Sequence, residues 1–247
     1  MPRTCRRSTS SDSAGFGGLP FARAKRLGIG AALEILEHVP PPERPDVLAI
    51  YPSWWDVLPL WFGERITEVP VHGNVICGGA SKVIYRSDWS PLARSSRPSA
   101  LAPGERVVDA LDFADLISEE EHRYRASAPR TGRVEMKLLA DPEDGSKDLW
   151  DAGRALAPGE SVSFELRGLT PGLPTTLLVR VAPERASRLS LFGDGQPLAV
   201  LRSDPGTGWE QLRANVPTGL VRNDLSLLLQ TELGSLVLYH LWVVQTH

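Results

Sequence analysis

The sequence of 247 residues has little cysteine and no long apolar run. Its two cysteines, Cys5 and Cys77, argue against a disulfide framework, although this count does not identify a compartment. The longest apolar stretch, residues 234–247, is shorter than the roughly 18–20 residues that a membrane-spanning helix needs, and it contains Tyr239 and His240. From the sequence as written we therefore expect a soluble domain.

The sequence also lacks the motifs that identify common enzymes. It contains no GxSxG, HExxH, Walker A or CxxC pattern. Gly28 and Gly30 form a GxG, but no predicted strand precedes them and Leu33 occupies the position of the third glycine, which argues against dinucleotide binding. No cofactor is therefore predicted, and the sequence favours a chain that is not an enzyme by itself.

The basic residues are concentrated at the start of the chain. The protein has a net charge of −3, but residues 1–26 carry six basic side chains and only Asp12 as an acid, so the remaining chain is strongly acidic. A nucleic-acid surface needs clustered lysine and arginine. We therefore predict a disordered basic arm over residues 1–26 and no nucleic-acid partner.

Proline and glycine are abundant, and they indicate the fold class. The 21 prolines and 22 glycines favour short elements joined by tight turns. Beyond residue 105, apolar residues alternate with polar ones in RVEMKLL, SVSFELR, RLSLF and DLSLLLQ, which is the pattern of half-buried strands. Residues 236–245 are apolar on both faces and predict a central strand. Residues 105–247 are therefore predicted to form an antiparallel, jelly-roll-like β-sandwich.

Turn signals separate the predicted strands. They are Pro158-Gly159, Pro171-Gly172, Asp194-Gly195 and Pro205-Gly206. The sequence ALAPGE occurs at residues 100–105 and again at 155–160, but the residues that follow differ. We interpret it as one turn-into-strand solution used twice, and not as a repeat architecture.

The first half of the chain predicts a small α/β unit over residues 27–89. Apolar residues at helical spacing predict a helix over 27–39, which the proline-rich run at 40–45 ends. The apolar run 46–51 is typical of a strand covered on both faces, and a second strand is expected near 82–86. Residues 90–104, rich in proline, serine and arginine, predict a linker. The whole protein is thus expected to be mainly β with a small α/β unit.

An unusual aromatic run, YPSWWDVLPLWFG, covers residues 51–63. Its aromatic residues suit either an inter-domain core or a membrane–water interface, and we favour packing; they are Tyr51, Trp54, Trp55, Trp61 and Phe62.

Two sets of residues could form a catalytic or a metal site, and each also has a purely structural interpretation. Cys77, with His72 five residues earlier and glycines after it, could form a thiol nucleophile with its base, or a small buried thiol at the end of a strand. Asp141, Glu143 and Asp144 could bind a hard cation such as calcium, or form a solvated acidic turn. We favour the structural interpretation of both, so no metal is predicted. His240, within an apolar strand, is expected to be a hydrogen-bonded core histidine.

Residues 105–247 resemble the galactose-binding-like jelly rolls that occur as accessory, often carbohydrate-binding, modules. The resemblance rests on VVDALDFADLISEEEHRY, LWDAGRALAPGESVSFELRGLTPG, GWEQLRANVP and YHLWVVQ. It implies a glycan partner bound through end loops, and it indicates Trp150, Asp151 and Trp209 as ligand-binding positions.

The first half, from DVLAIYPSWWDVLPLWFG to KVIYRSDW, resembles the soluble segment after the last membrane helix of some multi-spanning, lipid-linked-sugar glycosyltransferases. This resemblance implies a cell-envelope location, on the extracytoplasmic face of a membrane, and a membrane surface or membrane protein as partner. The catalytic acidic residues of those enzymes lie in early membrane loops, which this chain lacks. The leading hypothesis is thus a non-catalytic cell-envelope protein or fragment that binds carbohydrate; a thiol-dependent hydrolase or transferase and a purely structural tail are the alternatives.

Overall fold

The structure is a computed structural model that describes residues 23–24, 26–53, 61–73, 79–127, 134–139, 149–183, 185–204 and 209–246; over 134–139 it describes the backbone alone. Within these residues, no helix has both the length and the apolar character to cross a membrane. Most described elements are strands, and they form three antiparallel sheets.

The first part of the chain forms a short helical segment and a three-stranded sheet. The helix predicted over 27–39 is present as the shorter helix α1, which is followed directly by a 3₁₀ turn. A second 3₁₀ turn lies within the proline-rich run. The bounds are α1 Ile29–Glu34, 3₁₀ turns Ile35–His38 and Pro41–Glu43, and strands β1 Val47–Ile50, β2 Gly63–Pro70 and β3 Ser81–Ser87 in the order β1-β3-β2.

One expectation for this unit is wrong. Strand β1 is an edge strand of an antiparallel sheet, and it is not covered on both faces. Val47 is 54% exposed, whereas the next residue, Leu48, is buried. The apolar run that predicted a fully buried strand is therefore half solvated, because only one face of the sheet has a layer packed on it.

The second part is a β-sandwich of a five-stranded and a six-stranded sheet. The five-stranded sheet has the order β11-β10-β13-β8-β5; the six-stranded sheet has the order β12-β9-β14-β7-β6, with β4 also paired to β14. The bounds are β4 Glu105–Asp112, β5 Arg125–Ala126, β6 Val134–Leu139, β7 Leu149–Leu156, β8 Ser161–Leu166, β9 Thr175–Pro183, β10 Ser187–Gly193, β11 Gln196–Ser203, β12 Glu210–Val216, β13 Leu225–Leu233 and β14 Leu236–Thr246.

Alternating residues of the two sheets form the sandwich core. In β8 the apolar residues Val162, Phe164 and Leu166 point inward, and the residues between them are half-buried. Strand β14 is buried along almost its whole length, with β9 on one side and both β7 and β4 on the other. The fold is therefore mainly β with an antiparallel sandwich, as predicted, and its last strand is central.

The repeated ALAPGE sequence forms the same turn twice. Gly104 has φ 81° and Gly159 has φ 82°. In the first copy the Glu105 N–H donates to Ala102 O at 3.0 Å, and its carboxylate accepts from the Ala102 N–H at 2.7 Å. In the second copy Glu160 and Ala157 make the equivalent bonds at 3.0 and 2.9 Å. Proline followed by a left-handed glycine is the type II turn signal, here closed by the glutamate side chain.

Two of the described helices pack against strand β7 of the six-stranded sheet. The remaining helices are α2 Ser90–Ser95, α3 Leu116–Glu121 and a 3₁₀ turn Thr218–Leu220. Residues of α1 and α2, such as Leu33 and Leu92, share one hydrophobic cluster with Trp150 and Ala152 of β7. The segment predicted as a linker thus begins with a helix that packs on the sandwich. The division into domains at 90–104 stays a prediction.

Candidate functional site

The outer face of the five-stranded sheet is polar and open to solvent among the described residues. Every second residue of β8 and β13 points away from the core, and these residues are half-buried or exposed. Hydroxyl, amide and carboxylate side chains predominate; the outward residues are Ser161, Ser163, Glu165, Ser226, Leu228, Gln230 and Glu232. We call this surface the open face.

A groove lies where the open face meets the edge strand β5. Its volume is about 320 Å³, and it is lined by Arg123, Arg125, Ser163, Phe164, Glu165, Ser226 and Leu227. The Arg123 guanidinium donates to Glu165 at 2.9 Å. Arg125 is exposed, and among the described residues it makes no ion pair. We call this site the arginine groove.

The arginine groove continues past the end of helix α3. The adjoining space of about 400 Å³ shares Arg123 and Arg125 and is also lined by Leu116, Glu119, Glu120 and Tyr124. Tyr124 is half-buried and stacks against the Arg154 guanidinium at 5.5 Å. Burial raises the pKa of the Tyr124 hydroxyl above its usual value.

A second groove lies at the other end of the same sheet. It holds about 260 Å³ and is lined by Ser190, Leu191, Phe192, Pro197, Leu198, Ala199 and Val200. Phe192 is half-buried, so part of its ring is accessible. A bulge between Leu191 and Phe192 breaks the register of β10 with β11 at this point. The open face therefore has a charged groove near one edge and an apolar, aromatic groove near the other.

The groups that line the two grooves can form hydrogen bonds with a polar ligand and contact its apolar parts. Guanidinium and carboxylate groups form paired hydrogen bonds with neighbouring hydroxyls, and serine hydroxyls can donate or accept. Half-exposed aromatic rings supply apolar contact area at a small cost in side-chain entropy.

The residues that the resemblance indicates lie in the six-stranded sheet or beside it: Trp150 and Asp151 in β7, and Trp209 directly before β12. Trp150 is 2% exposed and Asp151 is fully buried, whereas Trp209 is half-buried. Trp150 packs edge-on against Phe62 with ring centroids 4.9 Å apart. The Arg180 guanidinium lies 5.4 Å from the centre of the Trp209 ring. In this conformation a ligand reaches only Trp209, and the binding role of all three stays a prediction.

Asp151 belongs to a buried ion network. Its carboxylate accepts from the Arg180 guanidinium at 2.8 Å, and both side chains are fully buried. Arg180 also donates to the backbone oxygens of Ser95 at 2.6 Å and Arg97 at 2.7 Å, which fixes α2 and the residues after it on β9. The same Asp151 oxygen lies 3.2 Å from Nδ1 of His240.

His240 is charged within this network. Its Nε2 lies 3.5 Å from the Asp112 carboxylate, and its ring stacks on Trp242 with centroids 5.0 Å apart. Burial disfavours the imidazolium, but the carboxylates of Asp151 and Asp112 outweigh this effect and raise the pKa of His240 to about 9. The structure thus places His240 as a hydrogen-bonded core histidine, as the sequence led us to expect.

The other predicted residues are only partly described. Tyr51 and Phe62 are buried, and Trp61 is half-buried beside a groove of about 300 Å³ that Arg86 also lines. His72 is exposed in the turn after β2. Outside the described residues lie Trp54, Trp55, Cys77, Asp141, Glu143 and Asp144. Within the described ranges, no three acidic, histidine or cysteine side chains are arranged to hold a metal ion.

No protein-family model matches the chain, and no curated protein matches its sequence. Similar solved structures include a carbohydrate-binding module from Cellvibrio mixtus lichenase 5A in complex with cellotriose, at 12% identity and a TM-score of 0.37, which covers 57% of this chain and 100% of the module. The C-terminal family 6 module of a laminarinase from Zobellia galactanivorans has 18% identity and a TM-score of 0.34, covering 56% and 98%. A family 6 module from Clostridium stercorarium with cellobiose has 12% identity and a TM-score of 0.35, covering 56% and 92%.

Identities and scores this low carry no statement about a ligand of this chain. The β-sandwich rests on its own strands and register, described above.

Proposed function

We propose that the protein is a non-catalytic glycan-binding protein and that the open face is its binding surface. The observation that supports this proposal is the contrast between the two sheets. Helices α1 and α2 pack on Trp150 and Ala152 of β7 in the six-stranded sheet, whereas the open face presents hydroxyl, amide and planar charged groups between two grooves. Polar groups placed around small apolar patches are what recognition of a polyhydroxylated ligand needs.

The proposal also concerns the surroundings of the protein. Following the resemblance of the first half, we place it in the cell envelope, on the extracytoplasmic face, beside a membrane surface or a membrane protein, as the soluble tail of a glycosyltransferase. An immunoblot of fractionated native cells tests this part. A band much larger than 27.0 kDa in the membrane fraction supports it, whereas a soluble band near 27.0 kDa contradicts it.

A glycan array probed with the full chain tests the binding proposal. Cello-oligosaccharides are reasonable first probes, and the best ligand of the array is then titrated by calorimetry. We expect Arg125→Gln and Phe192→Ala each to weaken binding about tenfold, because one charge-assisted hydrogen bond or one aromatic contact contributes roughly 1–2 kcal/mol.

Matched variants distinguish the open face from other surfaces. Arg86→Gln removes an exposed arginine from the three-stranded sheet and is expected to leave the affinity unchanged. Trp209→Ala tests the end-loop position that the resemblance indicates. Loss of binding in Trp209→Ala, with Arg125→Gln and Phe192→Ala unchanged, would transfer the site to the six-stranded sheet. An array without any glycan bound would contradict the proposal altogether.

A further inference from the structure

The helical segment that packs on the six-stranded sheet carries a buried carboxyl group. Glu34, at the end of α1, is fully buried among Ala31, Ala32 and Leu33. One carboxyl oxygen accepts from the Ala152 N–H of β7 at 3.2 Å. The other has no hydrogen-bond partner among the described residues. We call α1 and the following 3₁₀ turn, residues 29–38, the docking segment.

Carboxyl groups outnumber cations around Glu34. The docking segment contributes Glu37 and His38; β4 and the start of α3 contribute Asp112, Asp115 and, farther along, Glu121; β7 contributes Asp151, β9 Arg180 and β14 His240. Helix α2 faces this network through the backbone carbonyl of Ser95, its last residue. Arg97, two residues after the end of α2, faces it through its own backbone carbonyl.

Each cation already has a carboxylate of its own. Arg180 pairs with Asp151, and His240 lies between Asp151 and Asp112. His38 contacts the Asp115 carboxylate, which also caps α3. In the part of the network that the structure describes, Glu34 and Glu37 therefore remain without a cation of their own. A buried carboxylate without a counter-ion costs several kcal/mol, so the neutral acid is favoured.

The titration of both groups agrees with this geometry. Burial raises the pKa of Glu34 well above its usual range, and the neighbouring Asp112 carboxyl, whose own pKa burial also raises, adds to this shift. Burial raises the pKa of Glu37 to about 7, although the charge of His240 opposes the shift. A carboxyl whose pKa is raised in the docked state stabilises docking below its ordinary pKa of 4.5 and loses this stabilisation as the pH rises through the raised value.

We propose that the docking segment is held on the six-stranded sheet by protonated Glu34 and Glu37, and that their ionisation releases it and removes part of the cover of Trp150. Phe62 and Leu92, which lie outside the docking segment, share the hydrophobic cluster of Trp150 and remain in place. His240, whose pKa the neighbouring carboxylates raise to about 9, keeps its charge while Glu37 ionises. Protons thus control part of the cover of β7, and glycan binding to the open face is not required for this behaviour.

Hydrogen exchange of the full chain, corrected for the intrinsic dependence of exchange on pH, tests this proposal. With a pKa of about 7 docked and 4.5 undocked, Glu37 alone weakens docking on the order of 50-fold between pH 5 and pH 8. We therefore expect amides of residues 29–38 to lose at least tenfold in protection over that range, while β13 and β14 keep theirs.

Two variants separate this mechanism from a general loss of stability. Glu34→Gln is neutral at every pH and keeps an oxygen for the Ala152 N–H, so it should retain more protection of the docking segment at pH 8 than the unmodified chain. Glu37→Gln provides the same test if Glu34→Gln does not fold. Glu43→Gln changes an exposed carboxylate in the same part of the chain and should keep the full pH response. Equal protection of residues 29–38 at pH 5 and pH 8 in the unmodified chain would overturn the proposal.

Discussion

Replacement of Asp151 by asparagine is expected to destabilise the protein strongly. The side chain of asparagine has nearly the same shape, so the change removes a charge without creating a cavity. Arg180 and His240 then lose the carboxylate that compensates both of them, and Arg180 is fully buried. Removing one partner of a buried ion pair typically costs about 3–5 kcal/mol.

This magnitude is large relative to the stability of a folded protein, which is usually about 5–15 kcal/mol. Arg180 keeps its hydrogen bonds to Ser95 O and Arg97 O, so the loss measures the missing charge and not the missing hydrogen bonds of α2. Urea denaturation at pH 7 is a suitable assay. With a slope of about 2–3 kcal/mol/M, the midpoint should fall by about 1–2.5 M.

A matched control is the exposed ion pair of Arg123 with Glu165. Arg123→Gln breaks it, and because Arg123 is largely solvated the cost should stay below about 1 kcal/mol. The double variant Asp151→Asn, Arg180→Met should lose less than the sum of the single losses, since the two side chains interact directly. A loss below about 1 kcal/mol in Asp151→Asn would refute the assignment of this network as the structural link between α2 and the sandwich.

Two further substitutions test the packing around the same region. Gly153→Ala should lower the stability of the fold by about 2–3 kcal/mol or more, because the new Cβ would lie 2.6 Å from the backbone oxygen of Leu238. The control Gly219→Ala, where the added Cβ meets open space, should change the stability little. The assay is the thermal midpoint by circular dichroism, and equal midpoints for the two variants would contradict the close approach of β7 to β14. Asp115→Ala should cost about 1–2 kcal/mol at pH 6, because it removes the cap of α3 and the partner of His38. Since the hydrogen bond to Asp115 raises the pKa of His38, this loss should shrink as the pH rises and His38 becomes neutral; a loss independent of pH would indicate capping alone.

The strands that the sequence predicts best are those with one polar face. Strands β8 and β13 alternate because their outward residues lie on the open face, so period two is visible in the sequence. Strand β9 was missed because both of its faces are covered, and its apolar run TTLLVRVAP has no alternation. The helix of α2 was missed because the composition of residues 90–104 is typical of a linker.

The ion network could not be predicted from spacing. Asp151 is 29 residues from Arg180 and 89 residues from His240, and only the sheet order brings them together. One local signal was present: Arg180 interrupts the apolar run LLVRVA. A charged residue in a strand buried on both faces requires a partner of opposite charge, so this run predicts an unidentified carboxylate nearby.

Binding of glycans to the open face is tested most directly by hydrogen exchange of the full chain with and without the glycan that binds best on the array. We predict that exchange slows in β8, β10 and β13, next to the arginine groove and the groove of Phe192, and does not change in β7 or around Trp209. Slower exchange confined to β7 and the start of β12, or no change with any glycan, would contradict the account.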